Sequence, residues 1–172
     1  QRYEIWTMQS QWHNLPTING TMQHEGREFA ARDLSHTAND EHATFSLDIA
    51  GAYPEAAAVK RYTRHYRLDR SGPLTIADDY ELSEAREPIV WNFMTLCSPE
   101  IIGDGQVRLS TLEGEVAQLT FGENEYEVVS EKVTLEDAAL QKVWGAQVYR
   151  LQLKLKQQEL AARHEFTLTI DN

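Results

Sequence analysis

The residues with the most chemistry to offer lie in one run, Trp12-His13-Asn14-Leu15-Pro16-Thr17-Ile18-Asn19-Gly20-Thr21-Met22-Gln23. A histidine followed at once by an asparagine presents one ring nitrogen to a metal or a substrate, while the neighbouring amide orients a backbone group. Asn19-Gly20 is a turn dipeptide, because both residues tolerate positive φ, and the apolar residues before it read as strand. The turn sets His13 and Gln23 on either side of one bend. The competing assignment makes His13 a satisfied, half-buried strand histidine and Asn14 a local hydrogen-bonder.

Five further histidines are scattered along the chain without the CxxC or HExxH spacings that mark zinc sites. If three adjacent strands bring His13, Asp33 and His65 together, two imidazoles and a carboxylate make a zinc-binding set. His65, inside Arg64-His65-Tyr66-Arg67, also reads as a solvated strand residue. His24, His36, His42 and His164 sit in polar surroundings and are assigned to the surface. There is no GxSxG elbow, and Cys97 has no partner thiol or adjacent base in sequence, so acyl-transfer chemistry is not indicated. A single cysteine permits no internal disulfide and fits a reducing compartment.

The 172 residues carry a formal net charge of -11, with 41% hydrophobic and 25% charged residues. This is the composition of one ordinary globular core. The negative field argues against nucleic acid or an anionic membrane as main partner. No apolar run approaches the length of a membrane span, and no signal peptide is evident. One positive cluster interrupts the acidity: Lys60, Arg61, Arg64, Arg67 and Arg70. It reads either as a cradle for glycan carboxylates or sulfates, or as cross-strand partners for the acidic residues of Leu74 to Glu84.

The elements that must position these groups are strands. Val59–Asp69 and Leu74–Leu82 flank Arg70-Ser71-Gly72-Pro73 as a hairpin, with Tyr62, Arg64 and Tyr66 on one face and Arg61, Thr63, His65 and Arg67 on the other. Alternation also marks Ala43–Ile49 and Val148–Leu155. Further strands are expected at Gln1–Met8, Arg27–Leu34, Ile89–Leu96, Gln106–Thr111, Glu115–Phe121, Glu125–Val133 and Glu165–Ile170. Ser35–Glu41 and Lys156–His164 read as loops. Glu55–Val59 suggests a helical turn, and Thr134 the N-cap of a brief helix. Roughly ten or more strands with one or two short helices predict an all-β antiparallel sandwich. With strand from its first residues and no initiating methionine, the sequence reads as a fragment of a larger protein.

The combination His13-Asn14, Ile18-Asn19-Gly20, Gln23, Asp33, Ala52-Tyr53-Pro54, Tyr62 through Arg70 and Asp78-Asp79-Tyr80 resembles the C-terminal region of heparinase II/III-like proteins. The match spans roughly the first half of the chain. The resemblance implies a β-sandwich, residues 1–172, that follows an N-terminal α/α-toroid in complete members. Those members are polysaccharide lyases that remove the C5 proton of a uronic acid and eliminate the C4 linkage, with a tyrosine and a histidine of the toroid doing most of the acid–base work. The implied partners are therefore an acidic polysaccharide or oligosaccharide and the toroid. The implied zinc ligands are His13, Asp33 and His65, the third contested by Tyr62 or Tyr66 on the opposite face. Asn14, Gln23 and Arg64 are the implied substrate-side residues. The alternatives are a carbohydrate-binding or structural sandwich without metal, and a mutarotase-like sugar isomerase.

Overall fold

The computed structural model describes residues 2–170. Among them, in chain order, are strands β1 (Pro16–Thr17), β2 (Arg32–Ala38), β3 (His42–Asp48), β4 (Val59–Asp69), β5 (Leu74–Leu82), β6 (Val90–Thr95), β7 (Ser98–Gly103), β8 (Gln106–Thr111), β9 (Gly114–Thr120) and β10 (Tyr126–Thr134). Helix α1 (Ala138–Trp144) and strands β11 (Gln147–Leu155) and β12 (Ala161–Ile170) complete the chain. A small antiparallel sheet, ordered β1-β6-β11-β10, faces a large one, ordered β2-β3-β4-β5-β12-β9-β8-β7. This is the expected all-β sandwich.

Period-two alternation builds the interface between the layers. From the large sheet Tyr62, Tyr80, Phe166, Leu119 and Val107 point inward, and from the small sheet Trp91, Leu151, Leu153, Leu155 and Tyr126 meet them. Trp91 lies at the centre, 5.4 Å from Phe166 and edge-on to Tyr126 at 5.6 Å. Each such aliphatic or aromatic side chain contributes about 1.5–3 kcal/mol by leaving water. The β4–β5 hairpin falls where the alternation and the Gly-Pro turn place it, with Tyr62 opposite Tyr80 and Arg64 opposite Asp78.

Four assignments change. The strand expected at Gln1–Met8 is, over the described residues, a pair of 3₁₀ turns at Arg2–Glu4 and Trp6–Met8, followed by a third at Ser10–Trp12; Gln1 lies outside the described residues. Local bonds such as Met8 N to the Ile5 carbonyl and Trp12 N to the Gln9 carbonyl use the backbone groups that a neighbouring strand would otherwise take. Strand β2 starts at Arg32 and continues through the presumed loop to Ala38, because an irregularity between Arg32 and Ser35, with Asp33 at φ 53°, brings Ser35 opposite Ser46. The helix begins at Ala138, since Asp137 rather than Thr134 caps it, accepting from the Ala139 and Leu140 amides. Finally, β12 starts at Ala161, so His164 lies within a central strand.

Candidate functional site

The Trp12–Gln23 run crosses one end of the sandwich and is tied down at almost every residue. Leu15 accepts from the Asn92 backbone and side chain, Tyr53 donates to the Pro16 carbonyl at 2.5 Å, and the Gln23 amide donates to Ser10 Oγ at 2.9 Å. Asn19, at φ 49° and 8% exposed, is fully used: its amide nitrogen donates to the Ala57 and Glu84 carbonyls, and its oxygen accepts from the Arg86 and Glu87 amides. A left-handed turn residue whose side chain also staples two other loops has to be asparagine-like.

Two grooves meet at His13. One, of about 420 Å³, is apolar and is walled by Trp6, Trp12, Met94, Leu140 and Trp144. The other, of about 600 Å³, is more polar and includes Ser10, Thr21, Gln23 and His24. His13 is exposed on the ridge between them, with Nε2 3.0 Å from the Thr7 carbonyl. A carbonyl only accepts, so neutral His13 carries its proton on Nε2 and keeps a lone pair on Nδ1. That nitrogen can take a proton or a hydrogen bond from a ligand.

The other residues proposed from sequence are dispersed. Asn14 is adjacent, with Oδ1 accepting from the Met94 amide at 2.7 Å, and Gln23 lines the polar groove. Asp33 lies exposed on the edge strand β2. His65 is turned to the outer face of the large sheet, where Nδ1 meets Ser46 Oγ at 2.7 Å; its neighbour Arg64 points inward and touches Asn14. No three histidine, cysteine, aspartate or glutamate side chains among the described residues are placed to hold a metal ion. His13, Asp33 and His65 therefore do not fit a zinc site in this arrangement.

Arg64, expected at the glycan surface, is instead buried, gripping Asp78 through Nε and Nη2 at 2.7 Å each and donating through Nη1 to the Asn14 carbonyl. Burial works against its charge, but the Asp78 charge and hydrogen bonds, with smaller help from Tyr62 and Tyr66, outweigh that and hold the guanidinium well above its ordinary pKa. Burial, then the neighbouring Asp78, raises the Tyr62 hydroxyl well above the usual phenol range. The remaining cations of the cluster pair locally: Lys60 with Glu81, Arg61 with Asp79, Arg67 with Asp69, and Arg70 with the Asn39 carbonyl. Lys60, Arg61 and Arg64 pair across β4 and β5, Arg67 pairs along its own strand and Arg70 with the Asn39 carbonyl, so the cluster is not an open cradle.

Sequence reasoning missed two features. The tryptophan groove depends on helix α1 approaching the N-terminal turns, which no local pattern announces. His164, assigned to the surface, is 7% exposed; it stacks on Tyr80 and lies with Nδ1 2.5 Å from the Tyr126 hydroxyl and 3.2 Å from Glu125. The alternation of Ala162, His164, Phe166 and Leu168 was the available signal.

Solved structures similar to this chain include heparan sulfate lyase HepC from Pedobacter heparinus, at TM-score 0.67 and 11% identity, covering 99% of this chain and 26% of that one. Two heparinase III structures match at TM-scores of 0.71 and 0.61, with 12% and 13% identity over 96% and 98% of this chain. The likeness is one of fold, and the chain spans about a quarter of the length of those proteins. No protein-family model matches the sequence, and no curated protein sequence matches it significantly.

Proposed function

We propose that this chain is the β-sandwich domain of a polysaccharide lyase acting on uronic-acid-containing glycans, and that its His13–Gln23 face forms one wall of the substrate cleft. The observation that carries the reading is the fold likeness to heparan sulfate lyase and heparinase III structures over nearly the whole chain. In this reading the sandwich is inactive alone. An N-terminal α/α-toroid of the same parent chain supplies the groups that take the C5 proton and release the C4 oxygen. The sandwich supplies a ridge on which His13 Nδ1 faces the glycan, Gln23 lines the adjoining polar groove, and the Asn14 side chain, bonded to Met94, holds the ridge in place.

This reading routes no step through zinc: His13 stands on the ridge, Asp33 on the edge strand β2 and His65 on the outer face of the large sheet. With the arginines of the β4–β5 hairpin paired and a net charge of -11, this wall does not attract a polyanion at long range. The substrate is accordingly a sparsely sulfated uronate glycan, or one whose anionic groups are held by the helical domain. The test is ultraviolet detection of unsaturated uronate ends, comparing the isolated chain with the full parent protein. Product from the parent alone supports the proposal; turnover by the isolated chain defeats it.

A second reading, a carbohydrate-binding or structural sandwich without metal, is favoured by one observation. The ring nitrogens of His13 and His65 that make contacts are bonded to the protein itself. It predicts oligosaccharide binding by the isolated chain and no elimination by the parent.

A further inference from the structure

Arg64 on β4 carries a full charge into the core directly beneath the ridge between the two grooves. It is 2% exposed, and its lateral neighbour Asp78 on β5 is fully enclosed. The carboxylate takes the guanidinium in a two-bond grip, and its Oδ2 accepts further from the Tyr62 hydroxyl at 2.5 Å and Trp91 Nε1 at 2.8 Å. The Arg64 Nη1 group faces away from this cluster and donates at 2.7 Å to the carbonyl of Asn14, 50 positions away in sequence.

A buried ion pair contributes little to stability over an apolar pair of similar volume, because desolvating both ions offsets their attraction. An apolar pair cannot, however, hold a carbonyl oxygen. Asp78 fixes the plane of the guanidinium, and that plane fixes the Asn14 peptide, whose side chain is held independently by the Met94 amide. The peptide so held begins at the carbonyl of the residue next to His13, an exposed side chain whose ring bonds to the Thr7 carbonyl.

We infer that the Arg64–Asp78 pair is a positioning device for His13, setting where its ring stands on the ridge, and that Arg64 itself does not touch the glycan. The inference rests on the proposed lyase reading for its kinetic consequence, but its structural consequence can be read without it.

The test uses the full parent protein with Arg64→Met/Asp78→Leu, an apolar pair, and Arg64→Lys, which keeps the charge pairing but lacks the second donor arm. The double variant is expected to fold with lowered resistance to guanidinium, because the Tyr62 hydroxyl, Trp91 Nε1 and the Asn14 carbonyl each lose a partner. Its backbone amides over residues 13–17 and at Met94 are expected to exchange faster by mass spectrometry, and its elimination kcat to fall about 100-fold, as for a glycan misplaced by about an ångström against the acid–base groups of the toroid. KM should change by less than about threefold. Arg64→Lys should show the same signature at smaller amplitude. Wild-type exchange and kcat in a folded double variant overturn the inference. If the double variant does not fold, wild-type exchange at residues 13–17 in Arg64→Lys overturns it instead. If the unmutated parent eliminates no uronate glycan, the lyase reading fails, and the exchange measurement alone decides the positioning role.

Discussion

Replacing Asn19 by alanine removes four hydrogen bonds at one stroke: 2.8 Å to the Ala57 carbonyl, 3.0 Å to the Glu84 carbonyl, 2.7 Å from the Arg86 amide and 3.1 Å from the Glu87 amide. A net contribution of about 0.5–1.5 kcal/mol each sets the range. The Ala57 bond is buried and the other three are partly so, which lets water recover some of the loss; the expected cost is about 3 kcal/mol. The backbone at φ 49° adds a separate charge, since asparagine tolerates this region and alanine does not; that strain costs about 1 kcal/mol more. Asn19→Gly removes the bonds without the strain, so it should be destabilised by about 3 kcal/mol and the alanine variant by about 4. Asn19→Asp keeps both amide-donated bonds but turns a carboxylate toward two carbonyls, and should lose about 2 kcal/mol or more. Guanidinium unfolding at neutral pH measures all three, with the slope unchanged and the midpoint lowered. A loss below about 1 kcal/mol for Asn19→Ala would refute the idea that this side chain staples the Ala57 and Glu84–Glu87 segments to the Asn19-Gly20 turn.

The remaining predictions concern charge and metal. Burial holds the His164 pKa below its ordinary 6.5, opposed in part by Glu125, Asp78 and Glu159. The folded state therefore refuses a proton that the unfolded chain accepts, so stability is full above pH 6.5 and falls as pH drops through the lowered value. The Nδ1 of His164 lies 2.5 Å from the Tyr126 hydroxyl and 3.2 Å from Glu125, and its Nε2 is buried with no partner among the described residues. His164→Asn should flatten the decline on the acid side of neutrality; an unchanged pH profile from denaturant unfolding contradicts this. Zinc added to the metal-free chain should leave its melting temperature unchanged, and His13→Ala should not alter metal content by elemental analysis. A stoichiometric zinc lost on that substitution would show that the ligands converge after all.

The parts of the fold legible in sequence were those in which alternation and turn chemistry agree. The strands Val59–Asp69 and Leu74–Leu82 have the expected limits because inward Tyr62, Arg64 and Tyr66 alternate with polar residues up to a Gly-Pro turn. Tyr3 and Ile5 alternate equally well, yet Tyr3 lies in a 3₁₀ turn and Ile5 links it to the next, since alternation does not supply a neighbouring strand. The grouping of His13, Asn14 and Gln23 was readable because one turn brings them together. The wider set failed on parity: once Arg64 faces the core, His65 must face outward, and spacing alone does not say which of the two is buried. His164 was hidden by a polar stretch whose second half is strand; pairing of the basic cluster with the acidic residues of Leu74 to Glu84 was one of the two readings, but the burial of Arg64 and Asp78 was not legible.

The most direct measurement is the rate at which the full parent protein forms unsaturated uronate ends, with and without His13→Ala, on a sparsely sulfated glycan. The account predicts turnover by the parent, a fall of about 100-fold in kcat on removing an imidazole that positions the glycan, and unaltered folding of the variant. A parent enzyme whose elimination rate is indifferent to His13 would contradict it.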